Sequence, residues 1–162
     1  MADLPHDFSS LTLEALEAAD YILLVISPEI ASIRAASIAL ETYKQLNYPE
    51  EKIKIVLNWT FERDGLAHSA IESALHAPIQ LVIPYGGRRF TSALNRGMPL
   101  MHEHPEDPIS ELLEDFCFRL SKETHQSIAP ASPSAAWHRL NERLQLFAAS
   151  QRKQKSLFSL VR

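Results

Sequence analysis

The sequence predicts an α/β fold with three parallel strands and flanking helices. Three apolar runs of strand length recur along the chain, at 20–27, 52–59 and 79–83. Segments of helical period separate them, giving a β-α-β-α-β order and hence a parallel sheet. The first run has no polar alternation, which fits a strand covered on both faces. Right-handed crossovers between strands laid down in sequence put both connecting helices on one face. The other face needs a different cover, part of which the helix over 109–122 can provide. The outer edge of the first strand has no evident partner in the sequence. Such a sheet reads as part of a larger α/β fold.

The elements follow in order. Residues 1–9 form an irregular entry containing Pro5. Ser10 or Thr12 can cap a short helix through Leu11, Leu13, Leu16 and Ala19. After the first strand, Ser27-Pro28-Glu29 is a helix start, with a hydroxyl, a proline and an acid facing the positive helix end. Ile30, Ile33, Ser37, Leu40 and Tyr43 keep the helical period, and Asn47-Tyr48-Pro49 stops it. Ile53, Ile55, Val56 and Leu57 form the apolar centre of the second strand. Arg63-Asp64-Gly65 is a turn. A weaker helix over 66–77 has Ile71 and Leu75 as anchors.

Pro84 ends the third strand, and Gly86-Gly87 marks a loop. A short helix runs from Arg89 to Arg96 and is closed by Gly97. Residues 99–108 form a loop containing three prolines. Ile109 to Lys122 is amphipathic, with Leu112, Leu113, Phe116, Cys117 and Leu120 on one stripe. Body, linker and tail then separate as 1–122, 123–134 and 135–162. The linker is rich in Pro, Ser and Ala. The tail is a basic amphipathic helix whose stripe is Trp137, Leu140, Leu144 and Phe147, resuming at Leu157.

With 46% apolar and 22% charged residues in 162, the composition is globular and excludes wholesale disorder. No apolar run reaches the eighteen or so residues that span a bilayer, and no basic segment followed by an apolar stretch opens the chain. The single cysteine, Cys117, rules out an intrachain disulfide and a Cys-rich zinc site. A reducing compartment, most simply the cytoplasm, is expected. Net charge is −4 but unevenly spread. Residues 1–136 hold 10 basic and 19 acidic residues, and 137–162 hold 6 and 1. A basic tail on an acidic body either meets an anionic surface or folds back onto the body.

Five stretches give the chain a resemblance to a family. Asp3-Leu4-Pro5 with Phe8-Ser9 resembles the aspartate-x-proline at the end of a Walker B strand. Ala19-Asp20, the strand to Val25, then Ser27-Pro28-Glu29 and Ser32-Ile33-Arg34 resemble the next strand and helix. Val56-Leu57-Asn58 is similar to a strand end whose asparagine faces adenine, and Ile83-Pro84-Tyr85 to the next strand end beside the base. Ala93-Leu94-Asn95-Arg96-Gly97-Met98-Pro99 matches an alanine-x-asparagine-x-glycine-x-proline signature. Over residues 2–122 the chain resembles the MinD/ParA-type deviant P-loop ATPases, and among them the CpaE-like branch tied to pilus and cell-pole organisation. The resemblance implies a partial P-loop NTPase-like fold, the C-terminal half of such an ATPase.

Departures accompany the likeness. The four glycines are Gly65, Gly86, Gly87 and Gly97, and none stands in the G-K-[ST] context of a phosphate loop. The family has an aspartate where Gly86 stands. The Walker A segment, switch I and most of the Walker B strand would lie upstream of Met1, as in a truncated, split or degenerate protein.

The resemblance implies roles for several residues. Asp3 would touch the water shell of Mg²⁺ in the intact protein; otherwise it is an exposed acid in a frayed segment. Asn58 can donate to and accept from an adenine edge, or simply form a turn. Pro84 and Tyr85 would flank the base, or pack as an ordinary loop. His102-Glu103-His104 could be read as a metal pair, without a further ligand at recognisable spacing. Asp64, His68 and Glu72 suggest a solvated helix face, and Cys117 a buried inert thiol. Arg88-Arg89 could contact phosphate or a partner, or stay solvated. In the tail, Lys153, Lys155 and Arg162 flank Leu157, Phe158, Leu160 and Val161, a pattern that fits a membrane surface or a partner. Nucleic acid ranks lower, for want of a DNA-reading motif.

Two functions follow. In the first, the chain supplies the adenine-side pocket and dimer surface of a cell-pole, pilus or partitioning ATPase that uses ATP and Mg²⁺, and does not hydrolyse ATP by itself. Its partners are then the missing N-terminal half or a second copy. In the second, it is a non-catalytic interaction module with a membrane- or partner-binding tail, cytoplasmic or peripheral at the inner face of the cell membrane.

Overall fold

The order of elements in a computed structural model follows from alternating apolar runs and helical stretches; residues 1–121 and 123–142 are described. Helix α1 spans Ser10–Ala18, strand β1 Ile22–Ile26, and helix α2 Ile30–Gln45. A 3₁₀ turn, Glu50–Lys52, leads into β2, Ile53–Asn58. Then come α3, His68–Leu75, and β3, Ile79–Ile83. Helices α4 (Arg88–Arg96), α5 (Leu100–Glu103), α6 (Pro108–Leu120) and α7 (Glu123–Ser127) follow, and residues 135–142 are helical. The chain divides into two compact units, Met1–Arg88 and the residues from Arg89 onward.

In the first unit the three strands are parallel in the order β1-β2-β3. This is a partial P-loop NTPase-like sheet with flanking helices. As the crossover rule requires, α2 and α3 lie on one face. Ile33 and Ala36 of α2 and Ile71 and Leu75 of α3 pack with Ile26, Ile55 and Leu57 of the sheet. A second cluster, Leu16, Ile22 and Tyr43, gathers Leu4, Tyr48 and Ile53 at the amino ends of β1 and β2. Its rings interlock: Tyr43 stacks on Tyr48 at 5.9 Å and meets the edge of Phe8 at 6.1 Å.

The opposite face departs from the expectation of a first strand covered on both sides. Val25, Val56 and Leu81 form one row across the sheet. Their exposures are 58%, 4% and 4%. Leu23, on the same face of β1, and Tyr21, just before the strand, are also exposed. The helices α2 and α3 spend their apolar stripes on the other face, and the cover that buries Val56 and Leu81 on this face stops short of the edge strand β1. Among the described residues no strand pairs with the outer edge of β1.

Local boundaries shift for identifiable reasons. Ser9, not Ser10 or Thr12, caps α1, and Thr12 turns inward to share Asp7 with it. Helix α2 begins at Ile30, because Ser27 N–H donates to Ser32 Oγ while Ser27 Oγ donates to Glu29. Between β2 and β3 the register slips by one residue, leaving Gln80 extra on β3. Its Oε1 accepts the N–H of Ile55, and Glu72 Oε1 accepts the N–H of Ile79 at 2.8 Å.

In the second unit, the loop expected over 99–108 contains the single turn α5. Asp107 caps α6 through Oδ1, with Pro108 in the first turn. The segment expected as a linker contains α7. Arg139, from the helical residues 135–142, reaches Glu114 Oε2 at 2.8 Å and Asp115 Oδ1 at 3.1 Å on α6. Cys117 is exposed, contrary to the buried thiol expected. Ser110 stands on nearly the same side of α6, about 20° away around the helix, and is fully buried. The cover on that side reaches the first turn of α6 and not the third.

Candidate nucleotide-base site

Ligands of open parallel sheets bind at the carboxyl ends of the strands, so those ends are where candidate groups converge. Asn58 closes β2 and pairs in register with Ile83, the last residue of β3. The next N–H, that of Trp59, donates to Ile83 O at 2.9 Å. This bond ties the two strand exits together, so Asn58 and Pro84 leave the sheet side by side. Asn58 is half-buried and Tyr85 is 46% exposed. Among the described residues no hydrogen bond of the Asn58 side-chain amide is found, and an amide can both donate to and accept from a heterocycle edge.

The Tyr85 ring is held from below by the loop. Gly87 has φ +51°, and a Cβ there would lie 3.3 Å from Tyr85 Cε1. Glycine thus serves both the left-handed backbone and the close approach of the ring. Gly86 is buried, so an aspartate there would have to enter a covered position.

Two aromatic residues of this end were not singled out from the sequence. Trp59 follows Asn58 directly and meets Phe61 edge-on at 6.4 Å. A Cβ on Gly65 would fall 2.3 Å from Trp59 Cζ3 and 3.1 Å from Pro28 Cβ. Leu66 N–H donates to Pro28 O at 3.0 Å. The loop over 59–66 therefore folds back onto the exit of β1. The signal that could have found Trp59 and Phe61 is their position just past a carboxyl strand end.

Asp3 is not brought to this end. Its neighbour Leu4 packs into the cluster at the amino ends of β1 and β2. Asp3 itself is exposed. Among the described residues no group of three or more His, Cys, Asp or Glu could hold a metal ion.

The remaining candidates take structural partners. His68 Nε2 stands 3.7 Å from Glu72 Oε1, within one helix. Asp64 is exposed with φ +68° in its turn. Glu103 pairs with Arg96, and His102 and His104 are exposed beside it. Arg89 Nε lies 3.4 Å from Asp107 Oδ2, while Arg88 is exposed at the start of α4. Around the alanine-x-asparagine signature, Gly97 takes φ +65°, its N–H donates to Leu94 O, and Met98 N–H donates to Ala93 O. The glycine-x-proline of that signature is thus a left-handed helix stop. Lys153, Lys155, Leu157, Phe158, Leu160, Val161 and Arg162 lie outside the described residues.

No protein-family model matches the chain. Among curated proteins it is similar to an uncharacterized ATP-binding protein of Methanocaldococcus jannaschii, with 29% identity over 119 residues. That match covers 73% of this chain and 44% of the relative. Among solved structures it is similar to a ParA family ATPase from Chlorobium tepidum, with TM-score 0.61 and 24% identity, over 70% of this chain and 46% of that one. The MinD cell division protein of Aquifex aeolicus gives TM-score 0.55 at 25% identity, over 65% and 45%. The MinC:MinD complex from Aquifex aeolicus gives 0.57 at 23%, over 78% and 51%. The fold is thus that of ParA and MinD ATPases in part. The chain spans about half the length of the relatives it matches.

Proposed function

We propose that this chain forms the base-side part of a MinD/ParA-like ATPase of the CpaE-like branch, acting in cell-pole, pilus or partitioning positioning. Asn58 reads the adenine edge, while Pro84 and Tyr85 flank its face. One observation carries this reading: Asn58 and the exposed Tyr85 leave adjacent carboxyl strand ends, joined by the Trp59–Ile83 bond, in a sheet similar to those of ATPases. These residues hold no G-K-[ST] phosphate loop. The reading therefore assigns the triphosphate, Mg²⁺ and water activation, Asp3 included, to an assembly with the other part of the fold. It also gives the chain a share of the dimer surface.

Calorimetry with adenosine, AMP and ATP tests this. A site that grips the base alone binds all three with similar weak affinity, and Asn58→Ala abolishes the heat. ATP turnover by the purified chain, or affinity that climbs steeply with each phosphate, overturns it.

A second reading rests on the charge contrast between the acidic body and the basic tail. In it the chain is a non-catalytic interaction module that attaches to anionic surfaces through Lys153 and Lys155. Among the described residues no helix is long and apolar enough to cross a membrane. Flotation with vesicles containing phosphatidylserine, lost in the double variant Lys153→Glu and Lys155→Glu, would favour this reading.

A further inference from the structure

Helix α2 spends Ile33, Ala36 and Tyr43 on the core and turns a second stripe outward. Ala31, Ala35, Ile38, Thr42 and Gln45 recur along it at alternating steps of four and three, the spacing of a coiled-coil seam. Ile38, at the middle, is 64% exposed, and Ala31, Ala35 and Gln45 are exposed with it. Thr42 Oγ1 donates to Ile38 O at 2.9 Å within the helix, so this hydroxyl can enter a dry contact with its donor already satisfied. Arg34 and Glu41 lie one heptad apart on one flank of the seam. Both are exposed, and among the described residues neither takes an ion-pair partner.

We infer that this outward face of α2 pairs antiparallel, about a two-fold axis, with the same face of a second copy. The two charges select both the occupant and the direction. With Ala35 across from Ile38 of the second copy, Ala31 lies across from Thr42 and Arg34 meets Glu41. The two-fold axis repeats each of these contacts, so both charges of both copies are paired. A parallel pair sets the same flank against Ala39 and Leu46 and leaves all four charges unpaired. A basic segment or an anionic surface would attract one of the two charges and repel the other. One charge of each sign, a heptad apart, makes the face complementary to itself. The alanines of the seam let the two helix axes approach closely. The seam points away from the sheet, so the contact needs no nucleotide and goes beyond the base-side reading. A helix of sixteen residues covers less than a stable interface does, which takes roughly 800 Å² from each partner. The dimer is therefore weak, with a dissociation constant on the order of 100 μM.

The test is sedimentation equilibrium of the full chain without nucleotide, from micromolar to millimolar concentration. A monomer–dimer equilibrium is expected. Arg34→Glu and Glu41→Arg should each weaken it by about tenfold, because two attractive contacts become repulsive. An equimolar mixture of these two variants should regain the wild-type affinity, since opposite charges then meet at both contacts. Ile38→Glu should abolish association, because a carboxylate at the centre of the seam would lose its water. All three residues are exposed, so each variant should unfold at nearly the wild-type temperature. Four results overturn the inference: a monomer over the whole range, a dimer that ignores the single reversals, a mixture as weak as either variant alone, or a dimer that forms only with ATP. The last would place the contact at the strand ends and sustain the nucleotide reading. Self-association that follows the charges in a chain that binds no adenosine does the reverse.

Discussion

Gly65 lies so close to the indole of Trp59 that a single added methyl would come within 2.3 Å of Cζ3. Pro28 Cβ would stand 3.1 Å away on the other side. Relief requires the indole to move, and Trp59 is the residue that ties β2 to β3 through Ile83 O. Gly65→Ala is expected to cost about 1–3 kcal/mol, the usual range for overpacking. Urea unfolding followed by indole emission checks it. Adding Trp59→Leu should recover part of the loss, because the clashing ring is then gone.

The bulge between β2 and β3 makes a sharper case. Gln80 is the extra residue, and its side chain replaces a missing ladder bond by accepting the Ile55 N–H. Ile55 is buried, so Gln80→Ala leaves a backbone donor without that acceptor. The expected loss is about 1–3 kcal/mol. Gln80→Glu retains the acceptor oxygen and should lose much less. Amide exchange at Ile55 should quicken in Gln80→Ala and stay near wild type in Gln80→Glu.

These two contacts also mark where sequence reading stops. The three strands were legible because each is a short apolar run between turn residues, and Ile26, Ile55 and Leu57 do form the core. The shared face of α2 and α3 followed from handedness alone. Caps and faces were harder. Ser9 caps α1 because Asp7 orients it, which no cap preference foretells. Cys117 sits on an apolar stripe, yet what covers that stripe is decided by other elements. Asn58, the last residue of β2, and Tyr85, two residues past β3, were legible from their place at the strand ends. The Trp59–Gly65 packing joins them through a loop whose fold-back onto Pro28 is tertiary, so no local pattern encodes it.

The N-terminus of α1 should carry a pH signature. Asp7 accepts from Thr12 Oγ1 at 2.7 Å, Ser9 N–H at 3.1 Å and Ser9 Oγ at 2.9 Å. These bonds favour the carboxylate and hold its pKa below the ordinary value, with Thr12 contributing most. A pKa lowered by folding gives stability that is present above the unfolded pKa. That stability is lost as pH falls through the folded pKa. Wild type should therefore lose this increment on acidification below about pH 4, and Asp7→Asn should lack it throughout. Urea midpoints measured from neutral to acid pH give the comparison: the two curves converge at the acid end.

Arg139 sets a different expectation in the second unit. Its pKa is raised above the ordinary value, first by the bond to Glu114 and then by Asp115, against the opposing effect of burial. Nη2 reaches both carboxylates, and Nε donates to Asp115 at 3.2 Å. Arg139→Met should loosen residues 135–142 from α6 by about 1.5–3 kcal/mol, the scale of hydrogen bonds to charged groups. Arg139→Lys should recover little of it, since an ammonium lacks the planar fork. Limited proteolysis between α7 and residue 135 should speed up in both variants, more so with methionine.

Tyr85 offers the cleanest separation of base recognition from folding. Its ring is exposed, rests above Gly87, and adjoins the strand end that carries Asn58. Stacking of a base on an aromatic ring contributes about 1–3 kcal/mol. Tyr85→Ala should thus weaken adenosine binding by about 5- to 150-fold while leaving the unfolding midpoint nearly unchanged. Tyr85→Phe should bind like wild type, because stacking needs the ring and not the hydroxyl. Gly87→Ala should act in the same direction as Tyr85→Ala, by pushing the ring off its seat and straining a left-handed backbone. Equal affinity in Tyr85→Ala and wild type, by calorimetry with adenosine, would remove this ring from the site and leave Asn58 and Pro84 as its candidates.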